Sequence, residues 1–243
     1  RGRVAFFLGC IMTLMYAEVS RQTVRVLTHQ GFEVVTPKEQ KCCGAPHLTE
    51  GDRDTTKLIA QHNLDLFMAL DVDAIVTDCA GCGAALKEYE ELLEEAGEHD
   101  KLAAFRGKIK DVSEFLAEQG LRTEGLKPVA KIVTYHEPCH LCHAQGVSKQ
   151  PRDLIKAIPG IVYRELDEAS WCCGSAATFS LKYTDESQQI LDRKLENIQA
   201  TGAELLVTAN PGCHLQLAWG LKQAGMKQQV VHITELLGMA LPG

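Results

Sequence analysis

The cysteines of this chain occur twice in the same order, and this repeat constrains the possible folds more than any other feature of the sequence. Nine of the ten cysteines form two sets, and each set runs from a single cysteine through a Cys-Cys-Gly triplet to a cysteine close to a glycine. The first set is Cys10, Cys42, Cys43, Cys79 and Cys82, and the second is Cys139, Cys172, Cys173 and Cys213. Corresponding members, such as Cys10 and Cys139 or Cys82 and Cys213, are 129 to 131 residues apart. Offsets this uniform indicate an internal duplication of about 130 residues.

Short apolar runs precede the cysteines, and they predict the fold class. Such runs, bounded by turn residues, are typical of buried strands, and helical periodicity follows two of them. The predicted strands are 4–8, 32–35, 74–76, 132–133, 161–163 and 205–207, and the periodic helices lie at 86–93 and 190–198. Alternating strands and helices predict an α/β protein with two pseudo-symmetric halves, each built on a parallel sheet. We expect a first half at 1–95, a charge-rich helical connector at 96–129 and a second half at 130–243.

The placement of the cysteines favours metal binding. Ligands of α/β proteins gather where the carboxyl ends of parallel strands meet helix N-termini, whose N–H groups stabilise thiolates. Successive side chains of an extended strand point to opposite faces, so the pair Cys42 and Cys43 needs the unusual backbone conformation that Gly44 permits. Adjacent thiolates fit a single tetrahedral zinc poorly, whereas a cluster offers each of them a different iron atom. All ten cysteines are therefore candidate metal ligands.

The second set lacks one ligand of the first. Asn210 stands at the position that corresponds to Cys79. Cys142 is the candidate replacement, because it forms a new C-x-x-C segment with Cys139. Zinc stays an alternative to iron at this second set. Nearby histidines are further candidates for ligating a metal or orienting a thiolate, namely His136, His140, His143 and His214.

Composition and charge exclude several classes of protein. A formal net charge of −7 and a pI of about 5.7 argue against nucleic-acid binding. No apolar run approaches the roughly 18 residues of a membrane-spanning helix, and no secretory signal is visible. We therefore expect a cytoplasmic protein whose thiols bind metal and do not form disulfides. Peripheral association with the inner face of the membrane stays open. No G-x-G-x-x-G segment follows a strand to indicate a flavin or nicotinamide site.

The spacing C-x31-CCG-x34-C-x-x-C, repeated imperfectly, resembles the CCG cysteine-rich domain. That domain occurs in the cysteine-rich subunit of heterodisulfide reductase, in an iron–sulfur subunit of anaerobic glycerol-3-phosphate dehydrogenase and in the iron–sulfur subunits of glycolate and lactate oxidases. The segments that most resemble the glycolate oxidase subunit are 82–84, 136–141, 171–176 and 208–213. The resemblance extends over essentially the whole chain.

This resemblance implies a cofactor, a partner and a role. The cofactor is an iron–sulfur cluster of the [4Fe–4S] type, in the non-cubane form where the five-cysteine motif is complete, as in the first set. The role is electron transfer beside a FAD-containing 2-hydroxy-acid dehydrogenase subunit of the glycolate or lactate type, without catalysis by this chain alone. A ferredoxin-like segment is expected to precede Arg1, which is not an initiating Met. Two alternatives stay open: a thiol–disulfide reductase with a catalytic cluster, as in the heterodisulfide enzyme, and a zinc-stabilised assembly module.

Overall fold

Two four-stranded parallel sheets, one in each half of the chain, form the centre of the fold. The structure is a computed structural model and describes residues 1–242. The strands are β1 (Gly2–Phe7), β2 (Phe32–Val35), β3 (Ala74–Thr77), β4 (Ile109–Asp111), β5 (Ile132–Tyr135), β6 (Val162–Tyr163), β7 (Leu205–Thr208) and β8 (Gln229–His232). The first sheet has the order β2-β1-β3-β4 and the second has the order β6-β5-β7-β8. The predicted α/β fold with two similar halves is confirmed.

Helices cover both faces of each sheet, which is why central strands such as β3 and β7 are buried along their whole length. The helices of the first half are α1 (Cys10–Met15), α2 (Ala17–His29), α3 (Ala45–Thr49), α4 (Arg53–Met68), α5 (Ala80–Lys87), α6 (Tyr89–Leu92), α7 (His99–Lys108) and α8 (Val112–Gln119). Those of the second half are α9 (Cys139–Gln145), α10 (Lys149–Lys156), α11 (Phe179–Lys182), α12 (Thr184–Thr201), α13 (Pro211–Gln223) and α14 (Ile233–Ala240). No helix within residues 1–242 combines the length and the apolar character needed to cross a bilayer.

The segment 96–129, expected to be a helical connector, belongs largely to the first half. It contains α7 and α8 but also β4, which pairs in parallel with β3 and completes the first sheet. Strand β4 is only three residues long and has a half-exposed lysine at its centre, so it carries no apolar run that sequence reasoning could detect. Residues 120–131 contain neither helix nor strand and join the two halves.

One apolar core runs through both halves. Helix α8 of the first half packs against α10 of the second, and α2 packs against α14. Phe115 on α8 and Leu154 on α10 are members of the same buried cluster. A hydrogen bond crosses the same boundary, since the Thr23 hydroxyl lies 3.0 Å from the Thr234 hydroxyl. The shared burial of apolar surface therefore ties the stability of each half to the other.

Substituting Phe115 by alanine tests this coupling. The ring is buried and packs edge-on against Phe32, with centroids 4.9 Å apart, so we expect Phe115→Ala to lower the free energy of unfolding by about 3–5 kcal/mol. Both tryptophans, Trp171 and Trp219, lie in the second half. Urea unfolding followed by tryptophan fluorescence and by far-UV circular dichroism should give one shifted midpoint. The control is Leu58→Ala, whose side chain is 75% exposed. A fluorescence midpoint that stays at the wild-type value would show that the halves unfold separately.

Candidate metal centres

The strand-to-helix turns bring the single cysteines to the carboxyl edges of the sheets. Cys10 begins α1 directly after β1, and Cys79 precedes α5 directly after β3. In the second half, Cys139 begins α9 after β5, and Cys213 lies in the first turn of α13 after β7. Because β1 pairs with β3 and β5 pairs with β7, the turns at their carboxyl ends are neighbours. The loops that carry the Cys-Cys-Gly triplets complete each group.

The first site consists of the five cysteines of the first set. Cys10 Sγ lies 3.8 Å from Cys42 Sγ, and the Cys82 backbone N–H donates to Cys79 Sγ at 3.3 Å. Cys43 lies close enough to Cys42 and Cys82 for both side chains to influence the pKa of its thiol, which connects the two pairs. Cys43, Cys79 and Cys82 are buried, whereas Cys10 and Cys42 are half-buried.

A single thiolate dominates the electrostatics of the first site. The hydrogen bond from the Cys10 thiol, helped by the Cys43 thiol and the Gly44 N–H, lowers the pKa of Cys42 to about 2. The same hydrogen bond raises the pKa of Cys10, and Cys43 and Cys82 also have raised pKa values because of thiol neighbours and burial. Without metal, the Cys42 thiolate thus has the thiols of Cys10 and Cys43, with their raised pKa values, as neighbours.

The second site repeats this arrangement with Cys139, Cys172, Cys173 and Cys213. A hydrogen bond from the Cys139 thiol lowers the pKa of Cys172 to about 2, and the Gly174 N–H also donates to Cys172 Sγ at 3.3 Å. The hydrogen bond from Cys173 lowers the pKa of the buried Cys213. The first cysteine of the triplet is therefore a strongly acidic thiol in both halves.

Glycine is required in both triplets. Gly44 and Gly174 have φ angles of +86° and +88°, the left-handed conformation that lets the chain turn after the vicinal pair. A Cβ atom at Gly174 would lie 2.5 Å from the Ser187 carbonyl oxygen, and one at Gly44 would lie 2.9 Å from Thr56 Cγ2. The backbone of each triplet is therefore packed against the second helix that follows it, α4 in the first half and α12 in the second.

Buried polar side chains support the triplets or the chain just before them, and the cysteine pattern did not indicate these side chains. At the first site, Asn63 donates to the Cys42 carbonyl at 2.9 Å and Tyr89 donates to the Cys43 carbonyl at 3.0 Å. At the second site, the buried Lys194 ammonium donates to the Ala169 carbonyl at 3.2 Å, and burial lowers the pKa of Lys194 to about 8. Asn63 and Lys194 are 131 residues apart, the same offset as between Cys82 and Cys213. That offset is the signal that could have found them.

Asn210, which replaces the cysteine expected in the second set, connects the two sites. Its amide oxygen accepts a hydrogen bond from the Gly81 N–H at 3.1 Å and lies 3.8 Å from Cys79 Sγ of the first site. Its amide nitrogen donates to Cys213 Sγ of the second site at 3.5 Å. One side-chain amide therefore contacts a thiol of each site.

Cys142, His143 and His214 lie apart from these thiol groups or already have other contacts, whereas His140 lies at the surface against Cys139. Cys142 Sγ lies 3.9 Å from the Cys139 carbonyl oxygen, and burial together with the Glu137 carboxylate raises the pKa of the Cys142 thiol. His140 is exposed beside Cys139, with its Nδ1 3.7 Å from the sulfur, and His143 is exposed on α9. His214 Nδ1 lies 3.2 Å from the Tyr16 hydroxyl. His136, in contrast, is buried next to Cys173 and Cys213.

A pocket opens beside the first site. Its volume is about 470 Å³, and Cys10 and Cys42 are part of its wall. Lys38 and Lys41 also line it. The two half-buried thiols of the first site are therefore accessible from a pocket that carries positive charge.

Comparison with known proteins agrees with the geometry. The family model described as the CCG cysteine-rich domain matches this chain twice, at residues 4–87 and 133–218. The chain belongs to the CCG family. Each match covers three strands of one sheet and all thiols of one group, while the edge strands β4 and β8 lie outside the matched ranges.

Relatives of this CCG protein include named iron–sulfur proteins. The probable glycolate oxidase iron-sulfur subunit of Bacillus subtilis is 41% identical over 97% of this chain, and the chain spans about half (54%) of that relative's length. Lactate utilization protein A of Halalkalibacterium halodurans is 32% identical over 97% of this chain and 96% of its own length. A crystal structure of a hypothetical protein from Helicobacter pylori has the same fold, with a TM-score of 0.70 and 13% identity over 99% of this chain and 49% of that one.

Alanine at Gly174 should destabilise the CCG turn. The left-handed backbone and the contact with the Ser187 carbonyl together should lower the free energy of unfolding by about 2–4 kcal/mol. Gly51→Ala is the matched control, because Gly51 has a φ of +85° but no atom within 4 Å of its added Cβ, so only about 1–2 kcal/mol is expected. Urea denaturation of the metal-free proteins measures both values. Equal losses would show that the turn relaxes around the new methyl group.

Removing the Asn210 amide should weaken the contact between the two halves. Asn210→Ala deletes the acceptor of the Gly81 N–H and the donor to Cys213, so we expect a loss of about 1–3 kcal/mol in the free energy of unfolding. Asn197→Ala serves as the control, since the Asn197 amide donates to an exposed Glu168 carboxylate and its loss should change stability by less than about 0.5 kcal/mol. Similar effects of the two substitutions in urea denaturation would contradict the bridging role.

Proposed function

We propose that the two sites hold iron–sulfur clusters and that the chain carries electrons as a subunit of a 2-hydroxy-acid dehydrogenase of the glycolate or lactate type. The observation that carries this proposal is the convergence of nine thiols into two groups linked by the Asn210 amide. The name of the Bacillus subtilis relative, an iron-sulfur subunit of a probable glycolate oxidase, supports it. The second relative is named for lactate utilization.

The donor atoms fit such a cofactor. All ten cysteines are free thiols, and soft thiolate ligands select iron–sulfur clusters or zinc over hard cations. The first site offers five sulfurs and would hold a [4Fe–4S] cluster in its non-cubane form, because vicinal thiolates suit a centre with several irons. The second site offers four cysteine sulfurs, and zinc is the rival metal there. When bound, an iron–sulfur cluster supplies a centre that accepts and releases single electrons.

The protein residues around the sites suit electron transfer. The buried Cys43, Cys79 and Cys82 keep water away from the inner side of the first site. Asn210 places one amide between a thiol of each site, so electrons have a short route from one to the other. The sequence has no nucleotide fingerprint, and removing a hydride from a hydroxy acid requires a flavin or nicotinamide. A FAD-containing partner subunit would supply that step, while the ferredoxin-like segment and the cytoplasmic or membrane-peripheral location stay predictions.

The pocket at the first site favours a second candidate function, a thiol–disulfide reductase. A small substrate entering this pocket would meet the half-buried Cys10 and Cys42, and Lys38 and Lys41 would attract a negatively charged one. In this case the first site would be catalytic and the chain would act on a substrate itself. The same pocket would be unnecessary for electron transfer between two protein-bound centres.

Metal analysis and two activity assays separate these candidates. After anaerobic reconstitution with iron and sulfide, we expect about four irons per filled site and a low-temperature EPR signal that changes on dithionite or ferricyanide treatment. The pure chain should not reduce a dye with glycolate or lactate, because it has no nucleotide fingerprint. Cys43→Ser should lose the iron of the first site only.

The opposite results are equally specific. Stoichiometric zinc with no iron after reconstitution would refute the cluster assignment and leave a zinc-stabilised module. Oxidation of a hydroxy acid without added flavoprotein would make this chain the catalyst. If the pure chain reduces a disulfide and Cys43→Ser abolishes this activity, the second candidate function, a thiol–disulfide reductase, is established.

A further inference from the structure

His136 has a buried imidazole without a hydrogen-bond partner. The residue follows β5 directly, and its backbone N–H donates to the Val207 carbonyl at 2.9 Å, which fixes it beside the central strand β7. Only 1% of the residue is exposed, and neither Nδ1 nor Nε2 has a partner among the described residues. A buried polar ring with both nitrogens unpaired is unfavourable in a folded protein, so a ligand for it is expected.

The imidazole reaches into the second site. One of its nitrogens, Cys173 Sγ and Cys213 Sγ all lie within 4.8 Å of one another. A sulfur and a nitrogen that bind one metal ion sit about 2.3 Å and 2.1 Å from it, so atoms this close need only a small adjustment to share it. His136 is thus placed where a ligand of the second site would be.

The duplication shows that this histidine is a change specific to the second half. His136 precedes Cys139 by three residues, and the residue that precedes Cys10 by three is Phe7. Phe7 is buried in the apolar cluster of the first half. The second half has therefore lost a thiol at Asn210 and gained an imidazole at the position of a phenylalanine.

We propose that His136 is a ligand of the iron in the second site and takes the place that Asn210 leaves vacant. This inference rests on the proposed iron–sulfur function. It assigns the replacement to His136 and not to Cys142, the candidate that the C-x-x-C segment suggests. A neutral imidazole in place of an anionic thiolate raises the reduction potential of an iron–sulfur centre. The second site would then be the better electron acceptor, and electrons would pass from the first site to the second.

Iron content and nitrogen hyperfine coupling test this ligand in the anaerobically reconstituted chain. In the dithionite-reduced wild type, pulsed EPR should detect a strongly coupled nitrogen that changes from the ¹⁴N to the ¹⁵N pattern when histidine is ¹⁵N-labelled. His136→Phe, which installs the residue of the first half, should lose this coupling and about half of the iron. His136→Cys should regain the iron and lack the nitrogen coupling. Circular dichroism of the metal-free variants checks that they fold.

Two control variants make the result specific. His143→Phe changes an exposed histidine of α9, and Cys142→Ser removes the rival sulfur, so both should keep the iron and the nitrogen coupling. Any one of three results overturns the proposal. They are full iron content in folded His136→Phe, nitrogen coupling that persists in this variant, and loss of the second-site iron in Cys142→Ser. A wild-type chain that binds no iron refutes the proposed function as well, whereas iron without nitrogen coupling refutes only the ligation by His136.

Discussion

Thiolates that share one small volume repel one another, and this repulsion governs how both cysteine sites are built. In the metal-free chain the first cysteine of each triplet, Cys42 or Cys172, is a strongly acidic thiol that accepts hydrogen bonds from neighbouring thiols and from the glycine N–H of its triplet. In the second site the pKa of the buried Cys213 is lowered as well. Cysteines bind a metal as thiolates, so metal binding displaces the thiol protons. The positive charge of the metal then compensates the negative charge of the thiolates. The glycine turns, the buried loop supports and the strand-to-helix turns all hold the sulfurs at the separations that make this exchange between protons and metal feasible.

The parallel sheets determine where the two sites meet. In each half the two central strands deliver their cysteine-bearing turns to the same sheet edge, and the turns after β3 and β7 face each other across the boundary between the halves. The Ala80 N–H donates to the Ala209 carbonyl at 3.1 Å at this boundary. Asn210 extends the contact to the thiols. The shared apolar core therefore stabilises the protein, and it also holds the two sites so close that the side-chain amide of Asn210 contacts a thiol of each.

The duplicated halves have diverged at the sites while keeping the fold. Where the first half has the neutral Asn63 beneath its triplet, the second has the buried ammonium of Lys194. The second site has also exchanged a thiol for the Asn210 amide and has the His136 imidazole beside it. These differences give the second site fewer thiols and an added positive charge. Two sites that share the Cys-Cys-Gly turn thus differ in electrostatics, and in the proposed function this difference would set the direction of electron flow.

Local pattern alone was enough to predict the two halves, their central strands, the thiol sets and the left-handed glycine of the triplet, because each depends on residues close together in the chain or on the repeat itself. Strand β4 escaped detection because its three residues become a strand only by pairing with β3. The contact of Asn210 with Cys79 joins residues far apart in sequence, and only the packing of the two halves brings them together. The closeness of His136 to Cys173 depends on the packing of the turn after β5 against the triplet loop within the second half. Sequence therefore determined which atoms are available as ligands. Tertiary structure decided which of them share a site, because that depends on distances that the spacing of motifs does not encode.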